Sequence, residues 1–315
     1  MAQQANHALP DGFQLEEYTV ERQLSLGGFS IVYLATDAEG RQVAIKEYLP
    51  NSLALRGEGE IKPQISTDHL GAFRYGMKCF FEEGRALARL SHPNVIRVLN
   101  FFRANDTVYM VMEYERGRTL QEFIQKHQGH ISERFMRGVF TRLLNGLREV
   151  HSHKLLHLDL KPSNVYLRTD NTPVLIDFGA ARQTLLADQP MLKPMYTPGF
   201  ASPEHYGSRK DLGPWSDIYS IGASMYACLS GAAPQAADER LKKDLLTPAM
   251  VRWDGQYSDR LLEIIDWCLN VNHLYRPQSV FALQKALVEA IEPPTEKQPS
   301  NWLDRMVGKL RKTAK

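Results

Sequence analysis

Asp159, Lys161 and Asn164 fall within six positions of one another in "LLHLDLKPSNVYL", residues 155–167, and "VLIDFGAAR" adds Asp177. Two acids, an amide and an ammonium sit here among Leu, Ile and Val that belong in a core. Charges are costly to bury without partners, so the set asks for a reaction that needs several positioned charges. A second pair lies upstream. In "VAIK", residues 43–46, Ala44 and Lys46 share one face of a strand while Val43 and Ile45 share the other. A lysine beside a small alanine suggests a charge held over a space left open for a flat ligand. Taken alone, the simpler explanation is an edge-strand lysine reaching water. The stretch "KCFFEEGRALARL" changes that. Phe80, Glu83, Leu87 and Leu90 follow helical spacing, which puts Glu83 on the apolar stripe. Glu82 falls instead with Lys78, Arg85 and Arg89 on a solvated face, where local charge pairs account for it. A carboxylate on a buried stripe needs a partner, and Lys46 is the natural candidate.

The elements that must position these residues change character along the chain. Residues 1–16 are polar, with Pro10 and Gly12, and read as a loose leader. From Tyr18 to Met112 the pattern is mostly strand-like: "YTVERQLS", "SIVYLATD", "RQVAIKEYL", "VIRVLNFFR" and "TVYMVMEY", with "DAEG" and "AND" as turns. The Glu83 helix interrupts these strands. After "YERGR" come longer helical runs, "TLQEFIQKH", "SERFMRGVFTRLLNGLREVHS", "WSDIYSIGASMYACLS", "DRLLEIIDWCLN" and "SVFALQKALVEAI". A strand-rich lobe followed by a helical one implies a cleft between them, where ligands tend to sit. No internal repeat is visible, and "PPTEKQPS" reads as a linker.

Composition excludes several classes. With 43% apolar and 23% charged residues, the 315-residue chain can fill a substantial globular core. Cys79, Cys228 and Cys268 are far apart and form no C-x-x-C pair, so they read as reduced thiols of a cytosolic protein. "MAQQANHALPDG" lacks the basic and apolar regions of a signal peptide, and "IGASMYACLSGAA" is too short and broken to span a bilayer. The net charge is +2, but residues 293–315 carry six Lys or Arg against two acids. The remainder comes to about −2, which argues against a nucleic-acid-binding body.

"VAIK", the Glu83 helix, "HLDLKPSN", "DFG" and "TPGFASPE" occur in the order and approximate spacing of the eukaryotic-type protein serine/threonine kinases, which the chain resembles from Tyr18 to Ile291. The lack of an added sensor domain is similar to bacterial members. The resemblance implies an α+β, two-lobed fold: a small antiparallel-sheet lobe with one helix over 17–115 and a larger helical lobe over 116–292. It implies transfer of the γ-phosphate of ATP to Ser or Thr hydroxyls of protein substrates, including the chain itself, with Mg²⁺ or Mn²⁺. Lys46 would hold the α- and β-phosphates with Glu83 fixing its ammonium, and Asn164 and Asp177 would be the metal ligands. Asp159 would accept the hydroxyl proton, and Lys161 would neutralise the γ-phosphate. "DLKPSN" and Thr197 fit the serine/threonine class. Leu24, Ser25, Gly27, Gly28, Ser30 and Val32 would form the phosphate loop and its flank. Adenine would lie under Val32 and Ala44, against Met112 and the main chain of Glu113 and Glu115. Asp217 matches the buried aspartate that ties down the catalytic loop, and Arg276 the arginine that pairs with Glu204.

The sequence departs from the family pattern at four places. "LSLGGFSIV", residues 24–32, has Ser25 and Ser30 where glycines belong, at a place where backbone approaches phosphate and needs freedom in φ. Weaker or slower nucleotide handling is the expectation. Leu158 stands where most members have an arginine that receives an activation-segment phosphate. Activity is therefore expected not to depend on a phosphate in residues 179–196, unless Arg182 or Lys193 substitutes for the arginine. Ser202 in "ASPE" replaces an alanine, with no evident consequence. The connection "EYLPNSLALRGEGEIKPQISTDHLGAFRYG" is long, and reads as an elaborated surface loop, though it could dock a partner or position the helix.

The tail "NWLDRMVGKLRK" puts Trp302, Leu303, Met306, Val307 and Leu310 on one helical face. It suits peripheral membrane contact through 301–312 or partner binding, or else a terminal helix packing on the large lobe. A cognate protein phosphatase is a further expected partner. The competing readings are a nucleotide-binding pseudokinase or scaffold, favoured by the lost glycines and Leu158, and a small-molecule kinase, opposed by "TPGFASPEHY" and "WSDIYSIG".

Overall fold

Strand alternation organises the small lobe. In the computed structural model, which describes residues 6–128, 130–178 and 197–289, β1 (Gln14–Leu15), β2 (Tyr18–Leu26), β3 (Ser30–Thr36), β4 (Gln42–Tyr48), β5 (Val98–Ala104) and β6 (Thr107–Glu113) form one antiparallel sheet in the order β1-β2-β3-β4-β6-β5. The register sets Val32 opposite Lys46 and Ala44 opposite Met112 on one face. Tyr33, Ile45 and Val111 align on the other, as do Glu47 and Tyr109. Helix α1 (Thr67–Leu87) packs on the first face, where a Cβ on Gly84 would come within 3.1 Å of the Met110 side chain. Glycine there lets the helix approach the sheet closely.

The second face is covered as well, and two expectations fail on it. Residues 6–16 are not a loose leader: Asn6, Leu9 and Leu15 are buried, and β1 pairs with β2. Asn6 Nδ2 donates to the carbonyls of Leu49 (3.3 Å) and Ala54 (3.2 Å) and to Asn51 Oδ1 (2.7 Å), while the Leu9 amide donates to Tyr33 Oη at 3.1 Å. Polar composition suggested solvent, but these groups all find partners in the lobe. Nor is the connection after Lys46 a surface elaboration. Its second part is helical, because α1 starts at Thr67 rather than near Lys78. Its first part buries Tyr48, Leu49, Leu53, Ala54 and Arg56.

Arg56 and Glu47 are both fully buried and form a two-pronged ion pair, Nη1 to Oε1 at 2.6 Å and Nη2 to Oε2 at 2.7 Å. Tyr33 and Tyr109 hydroxyls complete the carboxylate's partners at 2.6 and 2.8 Å, and Arg56 Nε donates to the His7 carbonyl at 2.9 Å. Burial alone would lower the Arg56 guanidinium, yet Glu47 raises it above its ordinary value. Burial, then Glu47, pushes both tyrosines up, so they stay protonated donors. A buried charge pair is tolerated only when its remaining polar atoms are satisfied, and here they are.

The large lobe begins with β7 (Gly117–Thr119) and α2 (Leu120–His127), which starts at a capping box: Glu122 N donates to Thr119 Oγ1 at 3.1 Å and Thr119 N to Glu122 Oε2 at 2.7 Å. Helix α3 (Glu133–Ser152) carries a buried stripe of Met136, Phe140, Leu143, Leu147 and Val150. Strands β8 (Val165–Arg168) and β9 (Pro173–Leu175) pair in the order β7-β8-β9. Helix α4 (Pro214–Ser230) is buried from Ser216 to Leu229, as "IGASMYACLSGAA" implied. Two short helices not foreseen, α5 (Ala237–Lys242) and α6 (Ala249–Arg252), precede α7 (Asp259–Cys268) and α8 (Val280–Glu289). No helix among the described residues is long and apolar enough to cross a membrane. The tail 301–312 and the linker at 293–300 lie outside the described residues.

Candidate active site

The loop between α3 and β8 brings the first set of charges together. Asn164 Nδ2 donates to the Asp159 carbonyl at 2.8 Å and to its carboxylate Oδ2 at 3.1 Å. Lys161 Nζ reaches both Asp159 oxygens at 3.1 Å and Thr197 Oγ1 at 2.8 Å. Thr197 Oγ1 in turn lies 3.3 Å from Asp159 Oδ1. Lysine, threonine and asparagine thus fix the position of one carboxylate. From the small lobe, Lys46 Nζ donates to Asp177 Oδ1 at 2.9 Å, joining β4 to the segment after β9. Glu83 lies on the buried side of α1, as its spacing required, and Glu82 sits exposed beside Arg85 at 3.8 Å.

Beneath these groups the backbone is held in a left-handed conformation at two non-glycine positions, Leu158 (φ 61°) and Asp177 (φ 56°). Such residues persist where the surroundings over-determine them. Asp217, fully buried on α4, accepts from the amides of His157 (2.9 Å) and Leu158 (2.8 Å) and from His151 Nε2 (2.8 Å). Burial by itself would raise the Asp217 carboxyl, but the His151 hydrogen bond and charge, with His157 and the Leu158 amide, hold it below the usual range. His157 stacks on Phe178 with ring centres 4.4 Å apart and bonds the Ile176 carbonyl at 3.1 Å. Arg276 Nη1 meets Glu204 Oε1 at 2.9 Å, so both pairings expected of Asp217 and Arg276 are present.

The substitution at Ser202 has a consequence the sequence did not reveal. Ser202 N and Oγ lie 3.1 and 2.8 Å from His205 Nδ1, and His205 Nε2 bonds the Leu158 carbonyl at 3.2 Å. The neutral ring with its proton on Nε2 satisfies all three contacts, accepting the Ser202 amide at Nδ1. His151, His157 and His205 were the residues missed; the Ser202-x-x-His205 capping spacing was the one available signal. Burial lowers the proton affinity of both His157 and His205 below the ordinary 6.5. The unfolded chain therefore takes up these protons first, so their contribution is intact above about pH 6.5 and is lost as pH falls from there. The unfolding midpoint should drop progressively as pH falls from about 6.5 to 5.5. A His205→Ala variant should show a shallower slope over that range; a slope equal to wild type would remove His205 as a source.

The phosphate-loop residues bracket the cleft from above. Leu24 is half-buried near the end of β2, Ser25 is exposed opposite Val32, and Gly27 and Gly28 form the exposed turn before Ser30. Neither glycine has positive φ, so the conformational demand expected there is not what places them. Val32, Ala44, Lys46 and Met112 share the cleft-side face. Glu113 N donates to the Arg97 carbonyl at 3.0 Å, and Glu113 pairs with Val43 at the end of β6. Glu115 is gripped through its side chain by Arg168, with Nε at 2.7 Å and Nη2 on the second oxygen. Thr184, Arg182 and Lys193 lie outside the described residues.

A divalent metal can be tested against this donor set. The Asp177 carboxylate and the Asn164 amide oxygen are hard oxygen donors brought near one another: Asn164 Nδ2, committed to Asp159, also lies 3.4 Å from the Asp177 main-chain carbonyl. No group of three or more His, Cys, Asp or Glu able to hold a metal occurs among the described residues. Few protein ligands supplemented by phosphate oxygens is the mode magnesium favours. The residues fit.

Comparison with known proteins completes the description. The family description "Protein kinase domain" matches residues 18–288. The human "Serine/threonine-protein kinase Nek2" is 32% identical over 271 residues, covering 82% of this chain and 60% of the relative. "Serine/threonine-protein kinase B" of Synechocystis sp. is 28% identical over 287 residues, covering 86% of this chain and 46% of the relative. Among solved structures, "PpkA-294 apo form" superposes with a TM-score of 0.82 at 33% identity, covering 89% of this chain and 99% of that one. The chain spans between about a fifth and three fifths of the length of the curated relatives it matches.

Proposed function

The chain belongs to the protein kinase family, and on that premise we propose that it transfers the γ-phosphate of ATP to Ser or Thr hydroxyls of protein substrates, itself among them, with Asp159 as the base. The observation that carries this reading is the Asp159 carboxylate held between Lys161, Thr197 and Asn164 beside a lysine–aspartate link across the cleft. Asp159 would orient the substrate hydroxyl and accept its proton as the oxygen attacks phosphorus. Lys161, 3.1 Å from that carboxylate, lies where it can offset charge on the transferred group. Lys46 would bind the α- and β-phosphates with Glu83 as its partner on α1. Val32, Ala44 and Met112 would enclose the adenine, with the main chain of Glu113 and Glu115 at its edge.

Kinase domains use ATP with a divalent metal. We assign that metal as Mg²⁺, held by Asp177 and Asn164; when bound it supplies positive charge to the phosphates. Reduced Cys79, Cys228 and Cys268 agree with a cytoplasmic setting. Contact of residues 301–312 with an anionic membrane surface and reversal by a protein phosphatase complete the proposed partners.

The test is incorporation of label from γ-labelled ATP into the chain and a generic protein acceptor, followed by identification of phosphoserine and phosphothreonine. Uptake of ATP without any transfer would reduce the protein to a nucleotide-binding scaffold. Because Leu158 offers no charge to a phosphate, Thr184→Ala should keep most of the activity in the same assay. Near-complete loss would mean that another base has taken over the missing arginine's part.

A further inference from the structure

Two backbone amides from the connection after β4 donate to carbonyls at the tip of the phosphate loop. Leu49 N bonds the Phe29 carbonyl and Asn51 N bonds the Gly28 carbonyl, each at 2.9 Å. These contacts continue the β3–β4 pairing beyond Ser30 and Tyr48, where the strand register ends. The segment that supplies them is itself fastened from the first described residue. Asn6 Nδ2 holds the carbonyls of Leu49 and Ala54 and the Asn51 side chain, and Asn6 Oδ1 accepts the Arg56 amide at 2.6 Å. Arg56 is anchored in turn on Glu47, the neighbour of Lys46 on β4. Asn6 is 3% exposed and Arg56 1%, so neither of these hydrogen-bonding groups competes with bulk water.

We propose that Asn6 is a positioning residue for nucleotide binding: it braces residues 49–54, which hold the backbone of Gly28 and Phe29 in the shape that receives phosphate. The inference rests on the assignment of residues 24–32 as the phosphate loop. It also accounts for the two serines. Ser25 and Ser30 replace glycines whose freedom an unsupported loop would need, and a loop fixed from behind needs less of it. Holding the loop in one conformation before the ligand arrives lowers the ordering cost of binding. Asn6 touches no ligand in this scheme, and it acts only through Leu49 and Asn51.

The brace predicts a particular split in the kinetics. Asn6→Ala removes the donors to Leu49, Asn51 and Ala54, and should raise KM for ATP and its calorimetric Kd by about three- to tenfold. The KM for the protein acceptor and kcat at saturating ATP should stay within about twofold of wild type, a margin below that of a single net hydrogen bond. Asn6→Asp keeps the acceptor for the Arg56 amide but turns a carboxylate oxygen toward the carbonyls of Leu49 and Ala54, so it should weaken ATP binding at least as much as Asn6→Ala. Asn51→Pro provides a second route. It removes the amide that reaches Gly28 while placing proline at the second position of the Pro50–Leu53 turn, where its fixed φ is tolerated.

Hydrogen exchange on the unliganded proteins reads the same device without nucleotide. Amides in 27–31 should exchange faster in all three variants, while those in 110–113 should not change. Unaltered ATP affinity in folded variants, or unaltered exchange at 27–31, overturns the brace and leaves the kinase assignment standing. A wild-type chain that takes up no ATP removes the kinase assignment instead, and exchange at 27–31 still decides whether Asn6 orders the loop.

Discussion

Asp159→Asn should lower phosphate transfer by about 10²–10⁴-fold while ATP uptake measured by calorimetry stays within about twofold. Asparagine preserves the side-chain outline and can still accept from Lys161 and Thr197, so the loop has no steric reason to rearrange. What disappears is the basic oxygen for the hydroxyl proton. The cost should therefore fall on kcat, with KM for ATP little altered, the pattern for an interaction made in the transition state. Single-turnover transfer on enzyme preloaded with nucleotide isolates that step. Activity within tenfold of wild type would mean that the proton goes elsewhere and that Asp159 serves only to arrange its neighbours.

Asp217→Ala should be as damaging by a different route. Removing the acceptor of buried donors typically costs about 1–3 kcal/mol for each group left unsatisfied. Here the loss strands the amides of His157 and Leu158 and leaves His151 without its acceptor. Leu158 would then lose the amide anchor of its left-handed backbone, keeping only the contact of His205 with its carbonyl among those described, and Asp159 follows it directly in the chain. Both stability and turnover should fall, with the denaturant midpoint dropping well below that of wild type. Asp217→Asn keeps acceptor capacity and should recover part of each. An alanine variant with an unchanged midpoint would show that the catalytic loop is held by other contacts, with His205 on the Leu158 carbonyl the first to consider.

The parts of the molecule that the sequence made plain are those where residue type and local period agree. Lys46 and Ala44 alternate with buried Val43 and Ile45, Glu83 follows Phe80 at helical spacing, and both lie where those periods put them. The parts it concealed are those where composition points to solvent and a distant partner reverses the outcome. Arg56 stands in "LRGEGE", a charged and glycine-rich stretch, and Glu47, the Tyr33 hydroxyl and the carbonyls of His7 and Ile61 make its burial tolerable. Asn6 has the same history. The first turns of α1 were missed because Gly71 and Gly76 dilute the helical signal, although Ala72 and Phe73 are buried there. His205 was hidden for another reason: its neighbour Ser202 looked like a harmless exchange, and the bond to Leu158 spans 47 positions of sequence.

The grip of Arg168 on Glu115 bears on how the two halves of the molecule can move. Arg168, on β8 of the large lobe, is also tied to the Pro93 carbonyl at 2.8 Å, so one side chain holds the small lobe at two separate points of its chain. Glu113 is stitched to Arg97 on the upper side. Rocking of one half against the other must then load this clamp together with the paired bonds of Asn94 and Ile96 to Leu175, which cross between the halves a few residues on. With two stretches of the upper half pinned to the same strand region below, the width of the mouth is limited on that side by bonds that must stretch or break together.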